Sequence, residues 1–120
     1  MSQPKETESR NATNQFDALA VALEIVRELR GVVDEIRSKD PDLARQLRRA
    51  GSSIPLNVAE GGRRSGKDRR YHFRVAAGSA DEIRAAVRVA ISWGYLDATR
   101  TGLLFDLVDR ELAMLYRLGR

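Results

Sequence analysis

The feature that most constrains the fold of this chain is a helical spacing of apolar residues, which recurs in four segments. In the first segment, from Phe16 to near Lys39, two rows of apolar residues lie side by side. An apolar surface of that width is typical of a helix that packs against more than one neighbour. The two rows are Phe16, Leu19, Leu23, Val26 and Val33, and Ile25, Leu29, Val32 and Ile36.

The second predicted helix begins at Pro41, with Asp40 as its N-cap. An Asp side chain can accept a hydrogen bond from the first turn, and proline lacks only an N–H that the first turn does not use. Apolar residues continue at helical spacing on both sides of Pro55, so we predict one helix with a kink near residues 52–55. Gly61 and Gly62 are predicted to end it.

Two further helices are predicted over residues 67–94 and 101–118, the first with Ser65 and Asp68 as a capping box. The links between helices are short, which favours antiparallel neighbours. The sequence therefore predicts an all-α fold, an antiparallel up-down-up-down four-helix bundle over residues 16–120. Residues 1–15 are polar and are predicted to be a disordered tail. We expect Trp93, Tyr95, Phe105 and Tyr116 to pack in the core or at a subunit interface.

Several classes of site have no support in the sequence. The chain has no cysteine, which excludes disulfides and thiolate metal sites, and its one histidine, His72, is expected to lie on the surface. No apolar run reaches the roughly 18 residues that would cross a membrane. We expect a cytoplasmic protein with no cofactor, no metal and no catalytic residues.

The spacing of Gly61, Gly66 and Lys67 copies much of a phosphate-binding loop of nucleotide hydrolases. Such a loop needs a strand before it and a Ser or Thr after its lysine. The preceding segment is predicted to be helical, and the hydroxyl position holds Asp68. We therefore interpret these glycines as part of a basic turn between two helices.

Positive charge is concentrated around that turn. Residues 43–74 contain nine Lys or Arg and two Asp or Glu, although the net charge of the whole chain is +4. Such a patch is typical of proteins that bind nucleic acid through its phosphates. The alternative is that these arginines pair with acidic residues of a neighbouring subunit. The candidate nucleic-acid-binding residues are Arg63, Arg64, Lys67, Arg69, Arg70 and Arg74, with Arg45, Arg48 and Arg49 extending the patch along the second helix.

A second set of polar residues surrounds Pro55. Ser53, Asn57 and Glu60 share one face of the second helix, because they are three or four positions apart. We predict that they form a structural polar motif with Ser79 and Glu82 of the third helix, or with Arg49, and fix the register of the two helices.

These central residues resemble a bacterial family of four-helix bundles, the 23S rRNA-intervening-sequence proteins. The family's second helix reads roughly R-A-x-x-S-I-P-x-N-I-A-E-G, and a later helix contains G-S-x-x-E; here Val58 takes the place of the commoner Ile. The matching residues are Arg49, Ala50, Ser53, Ile54, Pro55, Asn57, Ala59, Glu60, Gly61, Gly78, Ser79 and Glu82.

The resemblance implies a homo-oligomer, since similar proteins form ring-like pentamers, and no catalytic activity is established for the family. It also implies a relation to accessory variability proteins of diversity-generating retroelements, which bind nucleic acid and work with a reverse transcriptase. We therefore expect a non-enzymatic accessory protein that binds RNA or DNA without sequence preference. The alternative is a scaffold that docks an acidic protein partner such as a reverse transcriptase.

Overall fold

The computed structural model describes residues 14–120, and within them the chain forms four α-helices and no strand. These are α1 (Gln15–Arg37), α2 (Pro41–Gly62), α3 (Gly66–Ser92) and α4 (Gly102–Leu118), with a short 3-10 helix at Ala98–Arg100. The predicted all-α fold of four helices is confirmed. The first thirteen residues of the predicted tail lie outside the described part of the chain.

Local side chains fix where α1 and α2 begin. The Asn14 Oδ1 atom accepts a hydrogen bond of 3.0 Å from the N–H of Asp17, so α1 starts one residue earlier than predicted. Asp40 caps α2 as predicted, because its Oδ1 atom accepts a hydrogen bond of 3.0 Å from the N–H of Leu43. The end of α2 at Gly62 also agrees with the prediction.

The predicted capping box at the start of α3 is wrong. Ser65 is extended, and its hydroxyl makes no capping hydrogen bond to α3. The chain enters α3 through Gly66, whose φ of 59° is in the left-handed region that glycine tolerates best. The carboxylate of Asp68 lies 4.0 Å from Arg64.

Each helix packs against the next, and α4 returns to pack against α1. Near one end of the bundle Lys39 donates a hydrogen bond of 3.0 Å to the carbonyl oxygen of Tyr95, and Arg100 pairs with Glu35. Near the other end, Arg69 contacts Gln15. These contacts are compatible with the predicted up-down-up-down order. None of the helices within residues 14–120 combines the length and the apolar character needed to cross a membrane.

The core lies between the inner faces of the four helices, where Ile25, Ile54 and Phe73 are fully buried. Gly51 lets α1 and α2 approach closely, since a Cβ atom there would lie only 2.7 Å from Leu29 Cδ1. The helix runs continuously through Pro55 from Pro41 to Gly62.

Of the two apolar rows of α1, only the row from Ile25 to Ile36 is fully buried within the bundle. In the other row, Phe16 is 72% exposed and Leu23 is 43% exposed. The aromatic residues divide in a similar way. Tyr95 and Phe105 pack against the core, whereas Trp93 and Tyr116 are exposed, which leaves only the interface prediction for these two.

Candidate nucleic-acid interface

The turn between α2 and α3 carries an ion-pair network around Glu60. The Glu60 carboxylate contacts Arg63 at 2.9 Å and Arg64 at 2.8 Å. Hydrogen bonds from Arg64 and then from Arg63 hold the pKa of Glu60 below its ordinary value. Glu60 therefore offsets part of the positive charge of the turn and does not join the polar motif predicted for it.

Arg69 holds three helices together. Its guanidinium carbon lies 4.8 Å from the centroid of the Phe73 ring. The same side chain donates hydrogen bonds of 3.4 Å to the carbonyl oxygen of Gly61 and to Gln15 Oε1. A half-buried arginine with these partners has a structural role, and it is a poorer candidate for phosphate contact than its neighbours.

The nine predicted binding residues therefore differ in whether they have an ion-pair or hydrogen-bond partner in the described part of the chain. Arg45 pairs with Asp42, and Arg63, Arg64 and Arg69 have the partners described above. Among the described residues, the remaining cations have no hydrogen bond or ion pair. They are Arg48, Arg49, Lys67, Arg70 and Arg74.

The structure separates the predicted patch into two groups. We call Arg45, Arg48 and Arg49 the α2 group, and we call Arg63, Arg64, Lys67, Arg70 and Arg74 the turn group. Arg49 lies on α2 and Arg63 directly follows the end of that helix, fourteen positions later, which places them roughly 21 Å apart along the helix axis. Leu56, 69% exposed, lies between them.

The polar motif forms a chain of hydrogen bonds between α2 and α3. The Asn57 amide donates to the Ser53 carbonyl oxygen at 2.9 Å and to Ser53 Oγ at 3.1 Å. Ser79 Oγ donates to Ser53 Oγ at 2.7 Å. Asn57 Oδ1 lies 3.0 Å from His72 Nδ1. The chain of contacts therefore runs from His72 through Asn57 and Ser53 to Ser79.

Glu82 lies beside the residues predicted to join it, and His72 is less exposed than expected. Glu82 lines a cavity of about 430 Å³ with Arg49, Ser53 and Ser79, but no hydrogen bond joins it to another residue between 14 and 120. His72, which was expected to lie on the surface, is half-buried beside Asn57. The contact of His72 with the polar motif could have been predicted, because His72 lies seven positions before Ser79 on the same face of α3.

The sequence analysis also missed Glu111, which is fully buried on α4. Neither of its carboxylate oxygens has a hydrogen-bond partner in the described part of the chain. Burial raises the pKa of Glu111 to about 8, and the nearby charge of Arg110 opposes that shift. Glu111 lies four positions after Leu107 and four before Leu115 on the apolar face, so helical spacing alone predicts a buried side chain here.

No group of three or more His, Asp or Glu side chains within residues 14–120 is arranged to hold a metal ion. Arg48, Arg49, Lys67 and Arg74, by contrast, are exposed cations of α2 and α3.

One of three comparisons with known proteins gives a match. The family model described as 23S rRNA-intervening sequence protein matches residues 13–117. Comparison with curated proteins and with solved structures gives no match. The family match spans all four helices, including both segments that carry the polar motif. The chain belongs to the family of 23S rRNA-intervening sequence proteins.

Proposed function

We propose that this chain is a non-enzymatic, oligomeric accessory protein of the cytoplasm that binds nucleic acid through the α2 group and the turn group. The scaffold is an antiparallel up-down-up-down bundle. One observation carries the proposal: Arg48, Arg49, Lys67, Arg70 and Arg74 have no partner among the described residues. The acidic residues of this basic segment, Glu60 and Asp68, both lie beside Arg64.

Unpaired cations of this kind bind phosphates and release condensed counterions. The logarithm of duplex affinity then falls with the logarithm of salt concentration, with a slope of roughly −0.9 for each neutralised phosphate. Five contacts per subunit give a slope of about −4.5, or roughly a 500-fold loss of affinity between about 50 and 200 mM salt. Phosphate contacts carry little sequence information, so binding is sequence-independent.

The proposal includes a homo-oligomer. Phe16 and Leu23 form an exposed apolar strip on α1, which a second subunit can cover. Glu24 and Glu28 of the same helix have no ion pair with the other residues that the structure describes, so they are available to arginines of a neighbour. A pentameric ring, as the family resemblance implies, would repeat both basic groups five times and strengthen weak contacts through multivalency.

Fluorescence anisotropy with labelled single- and double-stranded RNA and DNA of mixed sequence, at two salt concentrations, tests the proposal. The variant Lys67→Glu/Arg74→Glu reverses two unpaired charges of the turn group. The matched control Arg27→Glu/Arg88→Glu reverses two exposed charges outside both groups. We expect steep salt dependence and a large loss of affinity in the first variant only. Equal losses in both variants would show that net charge, and not this surface, determines binding.

A second candidate function is a scaffold that docks an acidic protein such as a reverse transcriptase. The exposed Leu56 between the two basic groups favours it, because protein interfaces combine an apolar centre with a polar rim. Absence of nucleic-acid binding even at low salt would favour this candidate, and a pull-down with a reverse transcriptase would then test it.

A further inference from the structure

A groove of about 420 Å³ lies between α1 and α2 and was not predicted from the sequence. Val26, Leu29 and Val33 line it; Val26 is half-buried, and the other two are almost fully buried. Gly51 lines it as well and presents no side chain to it. The floor of the groove is therefore apolar.

Three arginines also line the groove. Arg30 and Arg37 come from α1, and Arg48 comes from α2. Arg37 is paired with Asp34 at 3.2 Å, whereas Arg30 and Arg48 have no ion pair or hydrogen bond with any residue from 14 to 120. Free guanidinium groups beside an apolar floor suit a ligand that is flat, partly apolar and attached to negative charge.

A nucleotide within a single strand has these properties. Its base can stack on a guanidinium plane or on apolar side chains, and its phosphate can accept hydrogen bonds from arginine. The groove is at the lower end of the roughly 300–1,000 Å³ range of small-molecule sites, which suits one nucleotide. We infer that the α1–α2 groove holds one unpaired base of a bound single strand. This inference rests on the proposed function and adds the form of nucleic acid that the α2 group prefers.

The groove is continuous with the α2 group. Arg48 and Ser52 line both the groove and the neighbouring cavity, which Arg45 and Arg49 also line. A strand that follows the outer face of α2 can therefore place phosphates on these arginines while one base enters the groove. A duplex keeps its bases paired and stacked, so it cannot offer a base without first unpairing it.

The acidic residue at the rim is consistent with a base as the ligand. A carboxylate repels phosphate, but it can accept a hydrogen bond from the amino group of a base. Asp34 is held at the rim by Arg37. The phosphates therefore belong on the Arg48 side of the groove.

The test compares three DNA ligands of roughly 12 nucleotides: a mixed-sequence single strand, the same strand with abasic positions, and the duplex. The abasic strand keeps the phosphates and lacks the bases. We expect the oligomeric full-length protein to bind the normal strand roughly tenfold more tightly than the abasic strand, as for loss of one stacked base. Ser52→Trp fills the groove without changing charge and is expected to abolish this difference between the normal and the abasic strand. Ser92→Trp, exposed at the end of α3, is the control.

Arg30→Ala provides a second test, since it removes a guanidinium of the groove without adding bulk. It is also expected to abolish the preference for the normal strand. Equal affinity of the unmodified protein for normal and abasic strands would overturn the inference and leave the proposed function standing. A preference that survives in both Ser52→Trp and Arg30→Ala would overturn the groove as the place of the base. Absence of salt-sensitive binding to all three ligands would overturn the proposed function as well.

Discussion

Replacing the buried carboxyl of Glu111 is expected to change how the stability of the bundle depends on pH. The side chain is 0% exposed, and both of its oxygens lack partners among the described residues. Its pKa of about 8 in the folded chain compares with an ordinary value of 4.5. Between these values the folded state holds a proton that the unfolded state has lost. The free energy of unfolding therefore falls as the pH rises.

The size of this effect follows from the pKa shift. One pKa unit corresponds to about 1.4 kcal/mol. The shift of Glu111 thus lowers the free energy of unfolding by about 5 kcal/mol between pH 4.5 and pH 8. By pH 7 the loss is about 3 kcal/mol, a large part of the roughly 5–15 kcal/mol that stabilises a typical domain. The pKa values of Glu60 and Asp97 are lowered from ordinary values of 4.5 and 3.8, so these groups change the free energy of unfolding only in the acid range. They do not contribute to its change between pH 4.5 and pH 8.

Glu111→Met replaces the carboxyl with an apolar chain of similar size and removes the titration. We expect this variant to be more stable than the original chain by about 3 kcal/mol at pH 7, with a gap that grows up to about pH 8 and is then constant. Urea unfolding followed by circular dichroism from about pH 5 to 9 measures the gap. Protein concentration must be fixed, because oligomerisation adds to apparent stability.

Asp106→Asn is the matched control, since it changes an exposed carboxylate on the same helix. It is expected to follow the stability of the original chain closely at every pH. A Glu111→Met variant that is less stable than the original chain, or a gap that stays constant from pH 5 to 9, would refute the reasoning.

Three further changes test the packing, the polar motif and the exposed strip. Gly51→Ala should lower the free energy of unfolding by about 1 kcal/mol in urea denaturation. Overpacking against Leu29 costs about 1–3 kcal/mol, and the higher helix propensity of alanine offsets about 1 kcal/mol of that cost. Unchanged stability would mean that Leu29 repacks. Asn57→Ala should cost about 1–3 kcal/mol in the same assay, since it leaves polar groups on both helices without partners; a neutral result would remove its structural role. Phe16→Ser/Leu23→Ser should reduce the molar mass measured by light scattering without loss of helical signal, and an unchanged mass would place the subunit interface elsewhere.

The sequence predicted those parts of the fold that depend on neighbours along one helix. Asp40 caps α2 because its acceptor and the Leu43 N–H are three positions apart, a spacing visible in the chain itself. Likewise Ser53 and Asn57 are one turn apart, so their hydrogen bond follows once the helix is predicted. Apolar periodicity gave four helices for the same reason.

Contacts between helices were harder to predict, because they depend on the register and rotation of one helix against another. His72 meets Asn57 only when α3 has one particular register on α2, and no local pattern fixes that register. The role of Arg69 shows the same limit, since its contact with Gln15 joins residues 54 positions apart. The α1–α2 groove likewise combines Arg30 and Arg48, which only the packed structure brings together.

The separation of the α2 group from the turn group has a consequence for the length of a bound nucleic acid. A distance of roughly 21 Å along α2 equals about six steps of a duplex that rises about 3.4 Å per base pair. A duplex shorter than this cannot contact both Arg49 and Arg63. Under the proposed function, contact with both Arg49 and Arg63 requires about six base pairs, and we expect binding strength to rise once the ligand reaches that length.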